Sequence, residues 1–422
     1  RVGSEMCLRD SFRSGHAGPV QLVFEGKGED KRMKITSIRA HWLSVPIPEA
    51  QQHTSDFGKT RSFDATLVEI ETDAGITGYG EAKAAVGSAG TNAGLVTIIE
   101  KELAPLLIGQ DPRQISRLWD VMYNGSRAHY AIARGHVFPV LGRRGHGVSA
   151  MSGIDMALWD ILGKTLGAPV HQLIGGKRHQ KMPAYASGGW KPAAEVGAEL
   201  KSYIDRGDFM AVKMRVGSGD GTLAHSIERV HAARDYLGPD IAIMCDAHGT
   251  FTVSEAKRFC RAVADCHIDW LEEPVTADDK QGQAEVRAST DIPISCGESE
   301  FTRFAFRDLA MLKAADIFQP DLSIAGGITE AMRIEAIAAA HQIRFAPHLW
   351  GGALCFASGL HVLAAATSGF IVEYSLGANP MLHELAEEDF LVEGGHLEIP
   401  DRPGLGVTIN QAFVARYTVQ RD

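Results

Sequence analysis

The sequence of 422 residues lacks features that define several common classes of protein. No stretch approaches the roughly 20 consecutive apolar residues that a membrane-spanning helix needs. A basic excess is also missing: the formal net charge is -10, whereas nucleic-acid binding requires a basic face. The first absence excludes membrane-spanning helices from the expected structure. The second excludes nucleic acid from the expected partners and favours a small molecule.

Paired cysteines and a secretion signal are missing as well. The six cysteines form no C-x-x-C pair and have no regular spacing, so we expect free thiols in a reducing compartment. Residues 1–32 are polar and Gly-rich without the apolar core of a signal peptide. We therefore expect a disordered or vector-derived extension at 1–32 and a cytoplasmic location.

The length and patterning predict two kinds of structure in one chain. Residues 33–165 are predicted to form an α+β capping domain, with a hairpin made by Ala65 to Glu71 and Ile76 to Glu81. Residues 166–380 alternate short apolar strands with amphipathic helices, one of which begins at a capping box from Thr252 to Glu255. The tail, 381–422, is predicted to pack back and complete the cap.

The alternating region contains eight candidate strands at intervals of about 25 residues. They lie near 182–187, 210–215, 241–246, 268–272, 293–298, 316–320, 343–348 and 370–373. Because each parallel strand needs a crossover connection, this order predicts an α/β fold, a (β/α)8 barrel with an N-terminal α+β cap.

Charged or ionisable residues end nearly every predicted barrel strand. They are Lys213 and Arg215, Asp246 and His248, Glu272, Glu298, Asp321, His348 and Glu373. Any one of them alone could belong to a structural ion pair. Nine in register at the carboxyl ends of the strands, where barrel enzymes keep their active sites, indicate a functional site.

Three of these carboxylates, Asp246, Glu272 and Glu298, come from consecutive strands. Hard oxygen ligands without cysteine suit Mg²⁺, or Mn²⁺ as a substitute. We prefer Glu272 to its neighbour Glu273, which points to the other side of a regularly paired strand. The alternative is an acidic patch neutralised by nearby basic residues.

Two further pairs suggest proton chemistry. Asp321 and His348 end adjacent strands, and a carboxylate that holds one imidazole nitrogen makes the ring a better general base. Lys213 and Arg215 share a face and could bind an anion. A lysine beside another cation is expected to have a lowered pKa, which would make it a second candidate base.

The sequence resembles the enolase superfamily, specifically its mandelate-racemase-like subgroup, from Met33 to about Ile409. The motifs that carry the resemblance are Ser152-Gly-Ile-Asp-Met-Ala-Leu-Trp-Asp160, Val212-Lys-Met-Arg215, Cys245-Asp-Ala-His248, Trp270-Leu-Glu-Glu-Pro274, Cys296-Gly-Glu-Ser299, Gln319-Pro-Asp321 with Gly326-Gly327, and Ala346-Pro-His348.

This resemblance implies an enolase-like modified TIM barrel in which Mg²⁺ and a Lys or His base remove the proton next to a carboxylate. Asp246, Glu272 and Glu298 would be the metal ligands. Asp321 and His348 would form the catalytic dyad, and Glu373 would donate to a substrate carboxylate oxygen. Relatives are commonly oligomeric, so a homo-oligomer is expected.

Cap loops near 46–62 and 82–90 would set specificity in such a protein. His53 and Arg61 lie in the first loop, but the sequence assigns them no contacts.

Two departures from the subgroup's usual pattern bear on the reaction. Arg215 stands where relatives usually carry a second lysine base, and His248 stands where many carry asparagine. Both favour an acid sugar dehydratase, in which His348 takes the α-proton and His248 protonates the departing 3-hydroxyl. The product would be a 2-keto-3-deoxy acid. A racemase, epimerase or cycloisomerase of the same superfamily, and a non-catalytic sugar-acid binding barrel, remain alternatives.

Overall fold

The computed structural model of the protein describes residues 33–52, 54–55, 58–84, 92–140 and 144–420. The predicted extension at 1–32, and Cys7 within it, lie outside the described residues. So do His53 and most of the second predicted specificity loop, 85–90. The other five cysteines are free and buried. Within the described residues, no helix combines the length and apolarity that crossing a membrane requires.

The first part of the chain forms a three-stranded antiparallel sheet, called the cap sheet here. Its strands are Ile35–Pro46, Ser62–Thr72 and Thr77–Ala82, with the second in the middle. The predicted hairpin is therefore confirmed. Thr54–Ser55 and Gly58–Lys59 form a small separate hairpin in the loop that precedes the middle strand.

Helices follow the cap sheet in sequence, and the long helix among them, His146–Leu166, packs against the sheet. The helices are Ala93–Thr97, the π-helical Ile98–Leu103, Ala104–Leu107, Ile115–Asn124, Ala128–Arg134, His146–Leu166 and, after a turn, Val170–Leu173. The long helix approaches the sheet at glycines: a Cβ on Gly80 would lie 1.9 Å from the carbonyl oxygen of Gly153. This close approach explains why small residues interrupt two otherwise regular elements.

Eight parallel strands then form a barrel, as the alternating pattern predicted. In chain order the barrel strands are Lys181–Gly188, Ala211–Arg215, Ala242–Asp246, Trp270–Glu272, Ile294–Cys296, Ile317–Phe318, Arg344–Phe345 and Val372–Ser375. Each pairs in parallel with the next up to the seventh, and the first also pairs with the eighth. A hydrogen bond from Phe345 N to Ser368 O, 2.9 Å, joins the seventh strand to the segment that enters the eighth.

Helices connect these strands and cover the barrel. They are Ala193–Ile204, Leu223–Leu237, Val253–Ala262, Lys280–Arg287, Thr302–Leu312, Gly327–Ala340 and Ala353–Ala365, with Pro380–His383 after the last strand. Short 3₁₀ turns lie at Glu49–Gln51, Gly125–Arg127, Ser218–Asp220 and Ala264–Cys266. The capping box is present: Thr252 Oγ1 accepts from Glu255 N, and Thr252 N donates to the Glu255 carboxylate.

The tail does not serve the cap alone, which corrects the prediction that all of 381–422 completes it. Its hairpin, Val392–Glu393 and His396–Glu398, pairs antiparallel with the beginning of the first barrel strand. The last part returns to the cap sheet, where Val419 N donates to Trp42 O at 2.8 Å after the helix Gln411–Tyr417.

Candidate active site

The site is built by the two-residue alternation of the barrel strands. Buried apolar residues that point into the barrel form a floor, listed in chain order as Tyr185, Ala211, Met244, Trp270, Ile317 and Ala346. Two residues further along, the same faces carry ionisable or polar groups at the mouth: Ser187, Lys213, Asp246, Glu272, Gln319 and His348. Because successive side chains alternate between faces, a strand that fills the floor also delivers a side chain to the mouth.

Asp246, Glu272 and Glu298 converge, as predicted. All three are buried, and one carboxylate oxygen from each lies within 4.8 Å of the others. Among the described residues, Glu298 Oε2 is a buried oxygen that accepts no hydrogen bond. Burial raises the pKa of Glu298, but His348 and other nearby cations lower it overall, so the carboxylate is ionised. Three hard, anionic oxygen donors with an unused buried oxygen fit a Mg²⁺ site.

Glu273 also lies close to this cluster, although it is not part of the converging set. Its backbone φ is +37°, so regular strand pairing ends before it and the simple alternation argument does not place its side chain. Burial, together with Glu298 and Glu272, raises its pKa to about 8.

Lys213 lies among the carboxylates. Its Nζ is 2.9 and 2.8 Å from the two carboxylate oxygens of Glu272 and 2.9 Å from Glu373 Oε1. Burial lowers the pKa of Lys213, but the carboxylates of Glu272 and Glu373 outweigh it, so the pKa is raised. The expectation of a lowered pKa beside Arg215 is therefore wrong, because the carboxylates are the closer neighbours. Lys213 is a cation suited to holding an anion.

Arg215 forms an ion pair with Asp246 and stacks its guanidinium on Trp350, 5.2 Å from the ring centre. His248 is held beside the same carboxylate: its backbone N–H donates to Asp246 Oδ1 at 3.0 Å, and its Nε2 lies 3.4 Å from Asp246 Oδ2. Its φ of +45° is left-handed. The imidazole is thus placed directly next to the candidate metal ligands.

His348 and Asp321 form the predicted pair. His348 Nδ1 lies 2.9 Å from Asp321 Oδ2, while Nε2 lies 3.4 Å from Glu298 Oε2. With Nδ1 occupied by the carboxylate, Nε2 is the nitrogen that faces the carboxylate cluster. Burial lowers the pKa of His348, but Glu298, Glu373 and Asp321 raise it overall.

Glu373 ends the eighth strand at the same mouth. Its Oε2 accepts from Leu349 N at 3.0 Å, and its Oε1 pairs with Lys213. Burial raises the pKa of Glu373, but Lys213 and His348 lower it overall. The expected role as a hydrogen-bond donor to substrate needs a proton that this ion pair disfavours, because an ionised carboxylate can only accept.

Residues outside the predicted set also reach the mouth. Gln319 donates to Glu272 Oε2 at 2.9 Å from the barrel interior. Glu81 and Lys83, at the end of the cap sheet's last strand, are buried against the loop that follows His348. In the barrel, ionisable residues at a strand end indicated the functional site. Glu81 and Lys83 form the same pattern at the end of a cap strand, so the sequence did contain a signal for them.

A cavity of about 880 Å³ adjoins the first predicted specificity loop. Its lining includes Gln51 and Gln52 from that loop, and Trp190, Lys191 and Leu376 from the ends of the first and eighth barrel strands. Arg61, in contrast, is exposed.

A barrel whose mouth gathers a carboxylate trio and a His–Asp pair under an α+β cap defines the enolase type of enzyme. Comparison with family models agrees: residues 41–175 match the mandelate racemase / muconate lactonizing enzyme N-terminal domain. Residues 195–413 match the enolase C-terminal domain-like family. The chain therefore belongs to the mandelate racemase and muconate lactonizing enzyme group of the enolase superfamily.

Relatives with named activities cover nearly the same length. The chain is 35% identical to D-galactarolactone cycloisomerase of Agrobacterium fabrum, over 91% of this chain and 99% of the relative. It is 36% identical to D-galactonate dehydratase of Ralstonia nicotianae, over 82% and 89%. Among solved structures, a racemase from Streptomyces coelicolor with bound magnesium superposes with a TM-score of 0.79 at 30% identity, covering 91% of this chain and all of the other.

Proposed function

We propose that the protein is a Mg²⁺-dependent acid sugar dehydratase that removes water from a polyhydroxy carboxylate to give a 2-keto-3-deoxy acid. The observation that carries the proposal is the placement of two imidazoles around one carboxylate cluster. His348 Nε2 lies 3.4 Å from Glu298, and His248 Nε2 lies 3.4 Å from Asp246. A base and an acid on two sides of one cluster are what an elimination requires.

Asp246, Glu272 and Glu298 would hold the Mg²⁺. When bound, the ion would act as a Lewis acid toward the substrate carboxylate and make its α-proton more acidic. Lys213 and Arg215 supply fixed positive charge at the same mouth, where negative charge develops as the α-proton leaves.

The protein's own groups perform the proton transfers. Asp321 holds His348 Nδ1, so Nε2 presents its lone pair and takes the α-proton. The electron pair of the broken C–H bond is first delocalised into the substrate carboxylate. It then forms the double bond between C2 and C3 as the 3-hydroxyl leaves. His248 gives that hydroxyl a proton, so it departs as water, and the enol then tautomerises to the keto acid.

Similarity to both kinds of relative supports the general chemistry, since the dehydratase is named for D-galactonate and the cycloisomerase for D-galactarolactone. A cycloisomerase is the second candidate, because that relative is matched over 99% of its length. Simple two-base racemisation is less well supported, because Lys213 is held as a cation by Glu272 and Glu373.

A product assay tests the proposal. Mg²⁺-loaded enzyme is incubated with a panel of acid sugars and lactones that includes D-galactonate and D-galactarolactone, and products are trapped with semicarbazide and weighed by mass spectrometry. We expect a keto acid that is lighter than its substrate by one water. His348→Asn enzyme is the matched control and should form no product.

A product of unchanged mass would replace the dehydratase by the isomerase. Tight binding of an acid sugar without any turnover would refute both.

A further inference from the structure

The cap sheet sends two buried ionisable side chains into the barrel mouth. Glu81 and Lys83 follow each other by two residues at the end of the strand Thr77–Ala82, and each is only 1% exposed. Burying a lysine ammonium is costly unless it is paired and hydrogen-bonded, so its contacts indicate what it is for.

The ammonium of Lys83 contacts both strand ends that carry the proposed dyad. Lys83 Nζ donates to the backbone oxygen of Trp350 at 2.6 Å, two residues after His348. The same Nζ lies 3.8 Å from Asp321 Oδ2, the oxygen that faces His348 Nδ1. In addition, Lys83 N donates to Ser323 O at 3.3 Å, two residues after Asp321.

Glu81 holds the continuation of the same segment. Its two carboxylate oxygens accept from Gly352 N at 2.7 Å and from Cys355 N at 3.1 Å, at the start of the helix Ala353–Ala365. A Cβ on Gly352 would lie 2.8 Å from the Glu81 carboxylate, so the loop is glycine where the cap residue approaches. On the barrel side, Glu373 accepts from Leu349 N. The segment that begins at His348 is therefore held from two sides.

We infer that Lys83 is a positioning residue for the base: it fixes the Asp321 carboxylate and the backbone after His348 so that the imidazole faces the reacting carbon. This inference rests on the proposed function, because it assigns a role in the α-proton transfer. The ammonium faces the same Asp321 oxygen that orients the imidazole. Its loss would free that carboxylate to turn, and a misplacement of about 1 Å can cost about 10²-fold in rate.

A merely structural role, docking the cap on the barrel, is the competing explanation. Lys164 provides a matched control because it makes the same kinds of contact away from the mouth. Its Nζ donates to Asp160 Oδ2 at 2.7 Å and to the backbone oxygen of Thr77 at 2.9 Å.

The experiment compares Lys83→Met, Lys83→Arg and Lys164→Met in the full-length, Mg²⁺-loaded enzyme, with D-galactonate as the first probe. Measurements are kcat, KM, wash-in of solvent deuterium at the α-carbon and melting temperature. We expect Lys83→Met to lower kcat and deuterium wash-in about 10²-fold while KM stays within about threefold. Lys83→Arg should recover at least a tenth of the wild-type rate, and Lys164→Met should lower the melting temperature but leave kcat unchanged.

Wild-type kcat in Lys83→Met, or an equal loss of kcat in Lys164→Met, would overturn the inference. If Lys83→Met does not fold, Lys83→Gln takes its place; the inference then requires Lys83→Arg to be at least tenfold faster than Lys83→Gln.

A crystal structure of the Lys83→Met or Lys83→Gln protein tests the placement without any turnover. We expect His348 Nδ1 to separate from Asp321 Oδ2, which are 2.9 Å apart in the wild type. An unchanged pair would overturn the inference. The structural comparison still tests the inference even when the wild type dehydrates no acid sugar. That outcome would count against the proposed function alone.

Discussion

Replacing His248 by asparagine separates the proposed acid from the proposed base. His248 has φ +45°, and asparagine is among the residues that tolerate this left-handed region best, so the backbone should keep its course. The hydrogen bond to Asp246 Oδ1, 3.0 Å, comes from the backbone N–H and survives the substitution. What is removed is the imidazole whose Nε2 lies 3.4 Å from Asp246 Oδ2.

The two partial reactions should respond very differently. Loss of a general acid typically costs about 10²–10⁴-fold, and we expect dehydration by His248→Asn to fall within that range. Wash-in of deuterium at the α-carbon needs only the carboxylate cluster and the dyad, in which His348 Nδ1 remains 2.9 Å from Asp321. It should fall by less than about tenfold, so the ratio of wash-in to elimination rises at least tenfold.

The assay follows both events in one reaction in D₂O, with mass spectrometry for deuterium in recovered substrate and semicarbazide for keto acid. His348→Asn is the companion variant and should abolish both. Normal dehydration by His248→Asn would show that the imidazole only hydrogen-bonds beside the metal ligands, as the asparagine of relatives would. Full wash-in by His348→Asn would move the base to Lys213 and restore the epimerase alternative.

Three further predictions concern the metal and the stability of the fold. Mg²⁺ at about 100 times its Kd should raise the free energy of unfolding by about 3 kcal/mol in the wild type and not in Glu298→Gln, as measured by denaturant titration with and without the ion. Asp155 Oδ2 accepts from Thr329 N at 2.9 Å, and burial raises the pKa of Asp155 to about 7. Asp155→Asn should therefore change stability by less than about 1 kcal/mol at pH 7, while Asp155→Ala costs about 1–3 kcal/mol; equal losses would refute the hydrogen-bond argument. Burial lowers the pKa of His361 to about 3, so protonation of the unfolded chain should reduce stability as the pH falls from about 6.5 toward 3, by up to about 1.4 kcal/mol per pH unit. His361→Gln should remove this part of the slope in pH-dependent unfolding, and an unchanged slope would show that His361 is protonated when folded.

The barrel and its carboxylate cluster were predictable because they repeat. A charged residue at about 25-residue intervals needs only the rule that parallel strands end together, and Asp246, Glu272 and Glu298 meet as that rule requires. The pair His348 and Asp321 follows from the same rule applied to adjacent strands. The charge states of the site residues could not be predicted from this rule. They depend on distances between side chains, which the spacing of residues along the sequence does not give. Lys213 has Glu272 and Glu373 as its closest carboxylate partners, and this reverses the expected direction of its pKa.

The division of the tail was equally hidden. Leu397 pairs with Met182 at the start of the first barrel strand, whereas Thr418 bridges to Leu43 in the cap sheet. Both stretches consist of short strand-like pieces, and nothing in their local pattern states which edge is free to receive them. An open strand edge is a property of the assembled sheet, so only the folded chain shows where each piece can pair.

The cap's part in the site shows where strand-end reasoning stops. Glu81 and Lys83 have the same signature as Lys213 and Arg215, two ionisable residues on one face at a strand end. In the barrel the signature was interpretable because six other strand ends also carry ionisable residues. In the cap sheet it occurs once, and a single charged pair at a strand end is more often solvated.

The packing of the cap sheet places this particular pair at the site. Gly80 closely approaches Gly153, which brings the strand Thr77–Ala82 onto the long cap helix. Ser152, on the same helix, accepts a hydrogen bond from Gly326 N at 2.9 Å, in the loop after Asp321. The motif that begins at Ser152 thereby ties the cap to the loop beside the dyad, and Lys83 reaches Asp321 because of it.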